Sequence, residues 1–172
     1  MTAPDCALVF SPESWKLYPR KVCGLYPLER LLISLARSGV TRIYLNLSPE
    51  ELAFYRARLK KTVAKIASVV EQAPSAVPDH AISVSSNLFV QPHYFAPAEF
   101  GSRFRLKKKT YIPIVSESLF PIERDEDIRK AAKALRRQIL EGTSGYIARN
   151  INKRVSLPIS MALSTTRVHP NY

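Results

Sequence analysis

The sequence predicts an α/β protein with a three-layer, doubly wound and mostly parallel sheet. Cys6 to Phe10 is a short, continuous apolar run of the kind found in buried parallel strands. A leucine-rich segment of helical periodicity follows it, and Val40 to Leu47 predicts a second strand before another helix begins. This alternation of strand, helix, strand and helix is typical of a doubly wound sheet.

Two of the predicted helices are marked by glycine at their ends. Pro27 to Ser38 has its apolar face on leucines and is followed by Gly39, a favoured residue just past a helix C-terminus. A later helix begins at Asp125 and ends at Gly142. Its predicted apolar face consists of Ile128, Ala132, Leu135 and Ile139.

The helix between these two begins with a capping signal. Ser48 is the expected N-cap, and Glu51 three residues later predicts a capping box. Its apolar residues share one side of the helix: Leu52, Tyr55, Leu59 and Val63. Lys65 to Glu71 is either a third strand, which we favour, or the end of this helix.

Two further strands are predicted in the second half of the chain. Ala81 to Val90 predicts a strand and its exit, after a proline-rich loop. Thr110 to Val115 alternates in apolar character, but Pro113 removes a backbone donor and predicts an edge or bulged strand.

Composition indicates one globular domain with an anionic partner. Of the 172 residues, 46% are hydrophobic and 23% charged, and the net charge is +12. No apolar run reaches the roughly 18 residues of a membrane span, so we expect that this chain alone does not cross a bilayer. Cys6 and Cys23 form no disulfide or metal pattern and are predicted to be core thiols of a cytoplasmic protein.

The segment 143–172 predicts an amphipathic juxtamembrane helix, separate from a domain over residues 1–142. Arg149, Asn152, Lys153 and Arg154 occupy its early turns and are predicted to meet lipid headgroups. An apolar half follows, so the helix changes character along its length and suits a membrane surface. A helix packed on its own domain is the alternative.

The same segment carries a family resemblance. The matching residues are Gly145-Tyr146, Ala148 to Lys153, Ser156, Pro158 to Ser160, Leu163 and Pro170-Asn171. They resemble the stretch before the first membrane helix of CDP-alcohol phosphatidyltransferases that have an extra soluble N-terminal domain, such as bifunctional inositol-phosphate cytidylyltransferase/phosphate synthases. The resemblance implies a membrane domain after Tyr172 that uses Mg²⁺ and a CDP-linked donor. That domain's aspartate motif is absent here, so no catalytic residue, cofactor or metal ligand is expected in this chain.

The front of the chain resembles the sugar-phosphate nucleotidyltransferase fold. Two motifs carry this likeness: Gly24, Pro27, Leu28 and Arg30 approximate G-x-PL-x-x-R, and Ser38-Gly39-Val40 with Ile43 resemble AG-[IV]-x-x-[IV]. In that family, glycine backbone N–H groups and basic side chains hold the triphosphate. Here the glycines are replaced by Ser11, Pro12, Glu13 and Ser14. The basic side chain that neutralises the phosphate would then be Lys16 or Lys21.

The family's Mg²⁺ motif is also altered. Its S-D-H-x-F-D-P pattern aligns with Ser86 to Pro92, which places Asn87 and Gln91 at both carboxylate positions. Amides are poor Mg²⁺ ligands compared with carboxylates. We therefore expect a degenerate nucleotide pocket without transferase chemistry. Its residues are Ser11, Lys16, Lys21, Asn87 and Gln91.

These features favour one function over two others. The leading hypothesis is a structural or regulatory domain of a phospholipid synthesis protein, at the cytoplasmic face of the membrane. Its partners are the membrane surface or its own transmembrane domain, with a homodimer and a retained nucleotide left open. An active cytidylyltransferase on a sugar- or alcohol-phosphate would need another acid, such as Asp79, for Mg²⁺. A nucleic-acid-binding module is disfavoured, because the following aromatic residues are predicted to be core rather than a stacking platform: Phe89, Tyr94, Phe95, Phe100 and Phe104.

Overall fold

The computed structural model describes residues 6–13, 20–58, 70–72, 79–92, 94–95, 100–107, 109–141, 156 and 158–160. Over these residues the chain is an α/β protein with a mostly parallel sheet. Its elements, in chain order, are β1 (Cys6–Phe10), α1 (Pro27–Arg37), β2 (Arg42–Asn46), α2 (Pro49–Arg56), β3 (Val70–Gln72), β4 (Ile82–Ser85), β5 (Leu88–Val90), α3 (Phe100–Arg103), β6 (Phe104–Lys107), β7 (Thr110–Pro113), β8 (Leu119–Pro121) and α4 (Asp125–Glu141).

The main sheet has the order β3-β2-β1-β4-β7-β6, with five parallel strands and β6 antiparallel at one edge. From β1 the chain builds outward through β2 and β3, and then continues on the other side with β4 and β7. The order therefore reverses between β1 and β4, which pair from Ala7 with Ile82 to Phe10 with Ser85. In sheets of this kind, ligands bind outside the carboxyl ends of the strands at the reversal.

Both faces of the central strand are buried, as its continuous apolar run predicts. Ala7 and Val9 belong to the large core cluster that includes the leucines of α1. Cys6 and Leu8 point to the opposite face, where they pack in a separate cluster with Ala81 and a tyrosine of β2. This arrangement is compatible with a three-layer α/β fold.

A second, two-stranded sheet pairs β5 with β8 in antiparallel fashion. Its Phe89 and Phe120 pack with Ala131 and Leu135 of α4 in a core cluster of their own. The segment Ala81 to Val90, predicted as one strand and its exit, is thus divided between the two sheets.

One sequence prediction about a sheet edge is wrong, and one about a helix face is only partly right. β7 is an interior strand between β4 and β6. The sheet tolerates Pro113 because it is the last residue of β7, and the N–H of Ile114 just beyond it still donates to the carbonyl of Arg103 at 2.8 Å. The predicted face of α4 is confirmed at Leu135, which is buried, and at Ile128, which packs against the same core cluster, but the fully buried residue among the described side chains of the helix is Ala131. Ile139 lies one turn beyond Leu135 and is 40% exposed.

The predicted bounds of β1, α1 and β2 agree with the structure to within a few residues. The helix that begins after Ser48 is described as far as Arg56, and Leu59 and Val63 of its predicted face lie outside the described residues. Gly39 follows α1 with a φ of +91°, as expected for a residue just beyond a helix C-terminus. β3 coincides only with the end of the predicted strand Lys65 to Glu71, whose first five residues lie outside the described part. The aromatic residues lie in the core as predicted, apart from Phe100, whose side chain is not described: Phe89, Tyr94, Phe95 and Phe104.

The predicted juxtamembrane segment is described only at residues 156 and 158–160, which are helical and exposed. Arg149, Asn152, Lys153 and Arg154 lie outside the described residues, so their contact with lipid headgroups stays a prediction. In the described part of the chain, no helix combines the length and the apolar character needed to cross a membrane.

Candidate functional site

The strand reversal brings two serines to the carboxyl edge of the sheet. Ser11 and Ser86 are the residues that directly follow β1 and β4. The backbone N–H of Ser86 donates to the carbonyl of Phe10 at 2.8 Å, and that of Ser11 donates to the carbonyl of Asn46 at 3.2 Å. Each serine is therefore fixed by backbone bonds to a neighbouring strand, at the place where a ligand would bind in a sheet of this order.

A buried carboxylate from α2 lies between these two serines. Glu51 is fully buried, its Oε1 accepts the hydroxyl of Ser86 at 2.5 Å, and its Oε2 accepts the hydroxyl of Ser11. Ser11 Oγ also accepts the backbone N–H of Ser48 at 2.6 Å. We call Ser11, Ser48, Glu51 and Ser86 the reversal cluster. It ties the first turn of α2 to the ends of both β1 and β4.

The capping box predicted for α2 is half present. Ser48 Oγ accepts the backbone N–H of Glu51 at 3.2 Å, as predicted. The Glu51 carboxylate, however, accepts from the two serine hydroxyls, and the N–H of Ser48 is satisfied by Ser11 instead. Two hydroxyl donors form charge-assisted bonds with the carboxylate, which explains why it turns toward the sheet.

A second buried carboxyl group and a buried tyrosine lie close to this cluster. Glu29 of α1 is fully buried, and its Oε2 accepts the backbone N–H of Tyr26 at 2.8 Å. Burial raises the pKa of Tyr55, and Glu51, Tyr26 and Glu29 raise it further. The Tyr55 hydroxyl has no hydrogen-bond partner within the described residues. The interior beside the reversal is thus acidic, which opposes the entry of phosphate groups.

The predicted pocket residues are not gathered in one place. Asn87 is buried in the turn after β4, where its Oδ1 accepts the hydroxyl of Ser85 at 2.6 Å and its Nδ2 donates to the carbonyl of Ile122 at 3.4 Å. Gln91 follows β5 and lines a groove of about 480 Å³ with basic residues of α4. Of the predicted pocket, the structure therefore places Ser11 and Asn87 at the carboxyl ends of β1 and β4.

The two predicted lysines do not complete a phosphate cradle in the described part of the chain. Lys21 is exposed, and its ammonium lies 5.2 Å from the centre of the Tyr26 ring, in a cation–π contact. Tyr26 in turn makes edge-to-face contacts with Phe54 and Tyr55 of α2. Lys16 lies outside the described residues.

The residues at the aligned Mg²⁺ positions do not fit that ion. Both functional groups of the Asn87 amide are already hydrogen bonded, and Gln91 lies in a different groove. Asp79 precedes β4, at the edge of the sheet opposite the carboxyl ends, and forms an ion pair with Lys109 at 3.1 Å. Within the described residues, no three His, Cys, Asp or Glu side chains form a group that could hold a metal.

The sequence interpretation missed the role of Glu51 in this site. The position of Glu51 in the first turn of α2 predicts a helix-capping role. That local pattern gives no indication of its hydrogen bonds with Ser86 and Ser11, which lie 35 and 40 positions away in sequence. The sequence carries a signal for only half of the cluster, because Ser11 directly follows the apolar run of β1. Ser86 lies within the predicted strand Ala81 to Val90, and no glycine or proline marks the end of β4 at Ser85.

An apolar and basic surface lies at the β6 edge of the sheet. Its exposed apolar residues are Ile112, Ile114 and Val115. Arg105 and Lys107 flank them, and this surface forms a shallow groove of about 420 Å³. We call these five residues the edge patch.

The reversal cluster can therefore brace the sheet, but its hydroxyls and carboxylate are engaged with one another rather than open to a substrate. Neither the protein-family models nor the curated proteins gave a match to this sequence.

Proposed function

We propose that this chain is the membrane-peripheral N-terminal domain of a CDP-alcohol phosphatidyltransferase-type phospholipid synthesis protein. In this proposal its three-layer, nucleotidyltransferase-like fold no longer carries out nucleotidyl transfer and has a structural or regulatory role. The observation that carries the loss of catalysis is the Glu51 carboxylate held by Ser11 and Ser86 at the strand reversal.

The chemistry of nucleotidyl transfer explains why this observation argues against catalysis. A triphosphate and its Mg²⁺ need backbone N–H groups, basic side chains and carboxylates that are open to the ligand. At the reversal, the Ser11 hydroxyl donates to Glu51, and the Asn87 amide is bonded to Ser85 and Ile122. A buried carboxylate at this position would also repel the phosphates.

The strand order supports the nucleotidyltransferase-like part of the proposal. The sheet reverses between β1 and β4, and the chain leaves β4 through the Ser86-Asn87 turn into a separate antiparallel pair. Two of the altered motif residues, Ser11 and Asn87, lie at the edge where this class of sheet binds its ligand. In this proposal the fold keeps the position of the former site, while the side chains there form hydrogen bonds within the protein.

The edge patch supports the membrane part of the proposal. Ile114 is 42% exposed and Val115 is 64% exposed, and both line a groove with Arg105 and Lys107. Exposed apolar side chains flanked by cations suit binding to an anionic bilayer. The apolar side chains enter the membrane interface, and the cations contact the anionic headgroups. In the proposal the helix of residues 143–172 adds Arg149, Lys153 and Arg154, each contributing about 1 kcal/mol near an anionic surface.

Calorimetric titration of CTP and CDP into the purified protein, with and without Mg²⁺, tests the catalytic part. We expect no binding, or weak binding that Mg²⁺ does not change. Micromolar binding of CTP that requires Mg²⁺ would refute the proposal and favour an active cytidylyltransferase.

Vesicle sedimentation tests the membrane part. We expect this protein to bind vesicles that contain phosphatidylserine or phosphatidylglycerol and to be released as salt screens the headgroups. Vesicles of phosphatidylcholine alone are the control. Equal partitioning to both, or to neither, would contradict a membrane-peripheral role.

The phospholipid role itself needs a protein that continues past Tyr172. In detergent micelles with Mg²⁺, we expect such a protein to release CMP from a CDP-linked donor when an alcohol acceptor is present. A longer protein that associates with membranes but releases no CMP with any acceptor would remove the phosphatidyltransferase assignment and leave the membrane assignment standing.

A further inference from the structure

A small cavity separate from the reversal cluster lies between α1 and the end of β5. Its volume is about 140 Å³, and its polar wall is formed by Arg30, Ser34 and Arg37, opposite Val90 and Pro92. The three polar residues are spaced four and three positions apart, so they follow one another along a single face of α1. No carboxylate is among the described residues that line the cavity.

Two buried polar atoms in this wall are unsatisfied. Ser34 is only 8% exposed, and its Oγ has no hydrogen-bond partner within the described residues. The same holds for Nε of Arg30. A helical serine can return its hydroxyl to the carbonyl four residues earlier, but Ser34 does not do so. Leaving two buried donors unpaired is costly, which suggests that a partner from outside the chain completes them.

The charge of Arg30 points to the sign of that partner. Its Nη2 donates to the carbonyl of Val22 at 3.0 Å, and its guanidinium lies 6.0 Å from the centre of the Phe89 ring. Burial lowers the pKa of Arg30, whereas the nearby Cys23 and Glu29 act in the opposite direction and raise it. A desolvated guanidinium with a free donor is stabilised most by a hydrogen-bonding anion.

We propose that this cavity is a binding site for a phosphate group, with Arg30 Nε and the Ser34 hydroxyl as buried donors and Arg37 as the cation at its rim. The cavity exceeds the roughly 15 Å³ that a single water requires and is smaller than the roughly 300 Å³ of a pocket for a drug-sized ligand. A phosphate offers more acceptor oxygens than a carboxylate, which matches three donors on one helix face. This inference does not depend on the proposed function.

Thermal unfolding in the presence of inorganic phosphate tests the site. Phosphate is titrated against sodium chloride of equal ionic strength, and acetate and glycerol phosphate are run in parallel. We expect a saturable rise of Tm with phosphate, little effect of acetate, and an effect of glycerol phosphate only if the cavity admits a phosphomonoester. A rise that chloride or acetate reproduces would overturn the proposal.

Two variants connect the effect to the cavity. Ser34→Ala should unfold at the same or a higher temperature without phosphate, because it removes an unpaired buried hydroxyl, and should weaken phosphate binding about tenfold. Arg37→Gln, at an exposed position, should weaken binding to a similar degree without a change in folding. Arg56→Gln is the matched control, since Arg56 is also an exposed arginine in the last turn of a helix. Phosphate binding that survives in both Ser34→Ala and Arg37→Gln would place the anion elsewhere.

Discussion

The carboxylate of Glu51 accepts the hydroxyl of Ser86 at 2.5 Å, across 35 residues of sequence. This bond joins the first turn of α2 to the end of β4, at the strand reversal. Because Glu51 also accepts the hydroxyl of Ser11, one buried side chain holds together the two strands between which a doubly wound sheet normally receives a ligand. The arrangement suggests that the position is used to stabilise the fold.

Replacing Glu51 with glutamine should destabilise the protein by about 2–3 kcal/mol, because the variant loses the negative charge that makes its two hydrogen bonds strong. Urea unfolding monitored by circular dichroism measures this loss. Glu50→Gln, in the same helical turn but exposed, is the matched control and should change stability by less than about 0.5 kcal/mol. Equal losses in the two variants would show that the buried bonds contribute nothing beyond the effect of charge at the helix N-terminus.

The bond between Ser86 and Glu51 should also appear as coupling between them. In a double-mutant cycle, we expect Ser86→Ala to cost less in the Glu51→Ala background than in the wild type, with an interaction energy of about 1 kcal/mol or more. Ser38 provides a comparison, because its hydroxyl donates at 2.6 Å to the carbonyl of Leu35 at the end of α1, and not to Glu51. Ser38→Ala should therefore be additive with Glu51→Ala.

The elements that sequence predicts best are those with local signals. β1 and α4 follow from a continuous apolar run and from helical periodicity, and α1 and α2 have proline at their first turn. The division between β4 and β5 was missed because the intervening Ser86-Asn87 turn contains neither glycine nor proline. An apolar run alone does not show where a chain leaves one sheet for another.

The site was harder to predict than the fold. The family resemblance named Ser11 and Asn87, and both lie at the carboxyl ends of strands, whose position is fixed by strand order. It could not reveal that a glutamate in α2 would meet Ser11, since that contact spans 40 residues and depends on the angle at which α2 leaves β2. Gln91 lies apart from these two residues, because it follows β5, which belongs to the second sheet.

Tyr55→Phe should change how stability depends on alkaline pH. Because burial and nearby acidic groups raise the pKa of Tyr55 in the folded state, the folded protein keeps a proton that the unfolded chain releases above its ordinary pKa of about 10. The associated stability is complete below about pH 10 and is lost as the pH rises further, at up to about 1.4 kcal/mol per pH unit.

Without this hydroxyl, the Tyr55→Phe variant should show a smaller alkaline loss. It should be as stable as the wild type or more stable near pH 7, because the hydroxyl it removes is buried and unpartnered in the described part of the protein. Urea unfolding at a series of pH values from about 8 to 11 measures both effects. Parallel alkaline losses in wild type and variant would assign the effect to other groups.

Substitutions in the edge patch should weaken binding to anionic vesicles. Ile114→Ser and Val115→Ser each remove an exposed apolar side chain that would enter the interface, and burial of such a side chain contributes about 1.5–3 kcal/mol. Each variant should therefore bind at least about tenfold more weakly in vesicle sedimentation, with little change in Tm. Ile139→Ser is the control, because Ile139 is a 40% exposed apolar residue on α4. If only the Ile139 variant loses binding, α4 with its lysines and arginines is the surface that faces the bilayer.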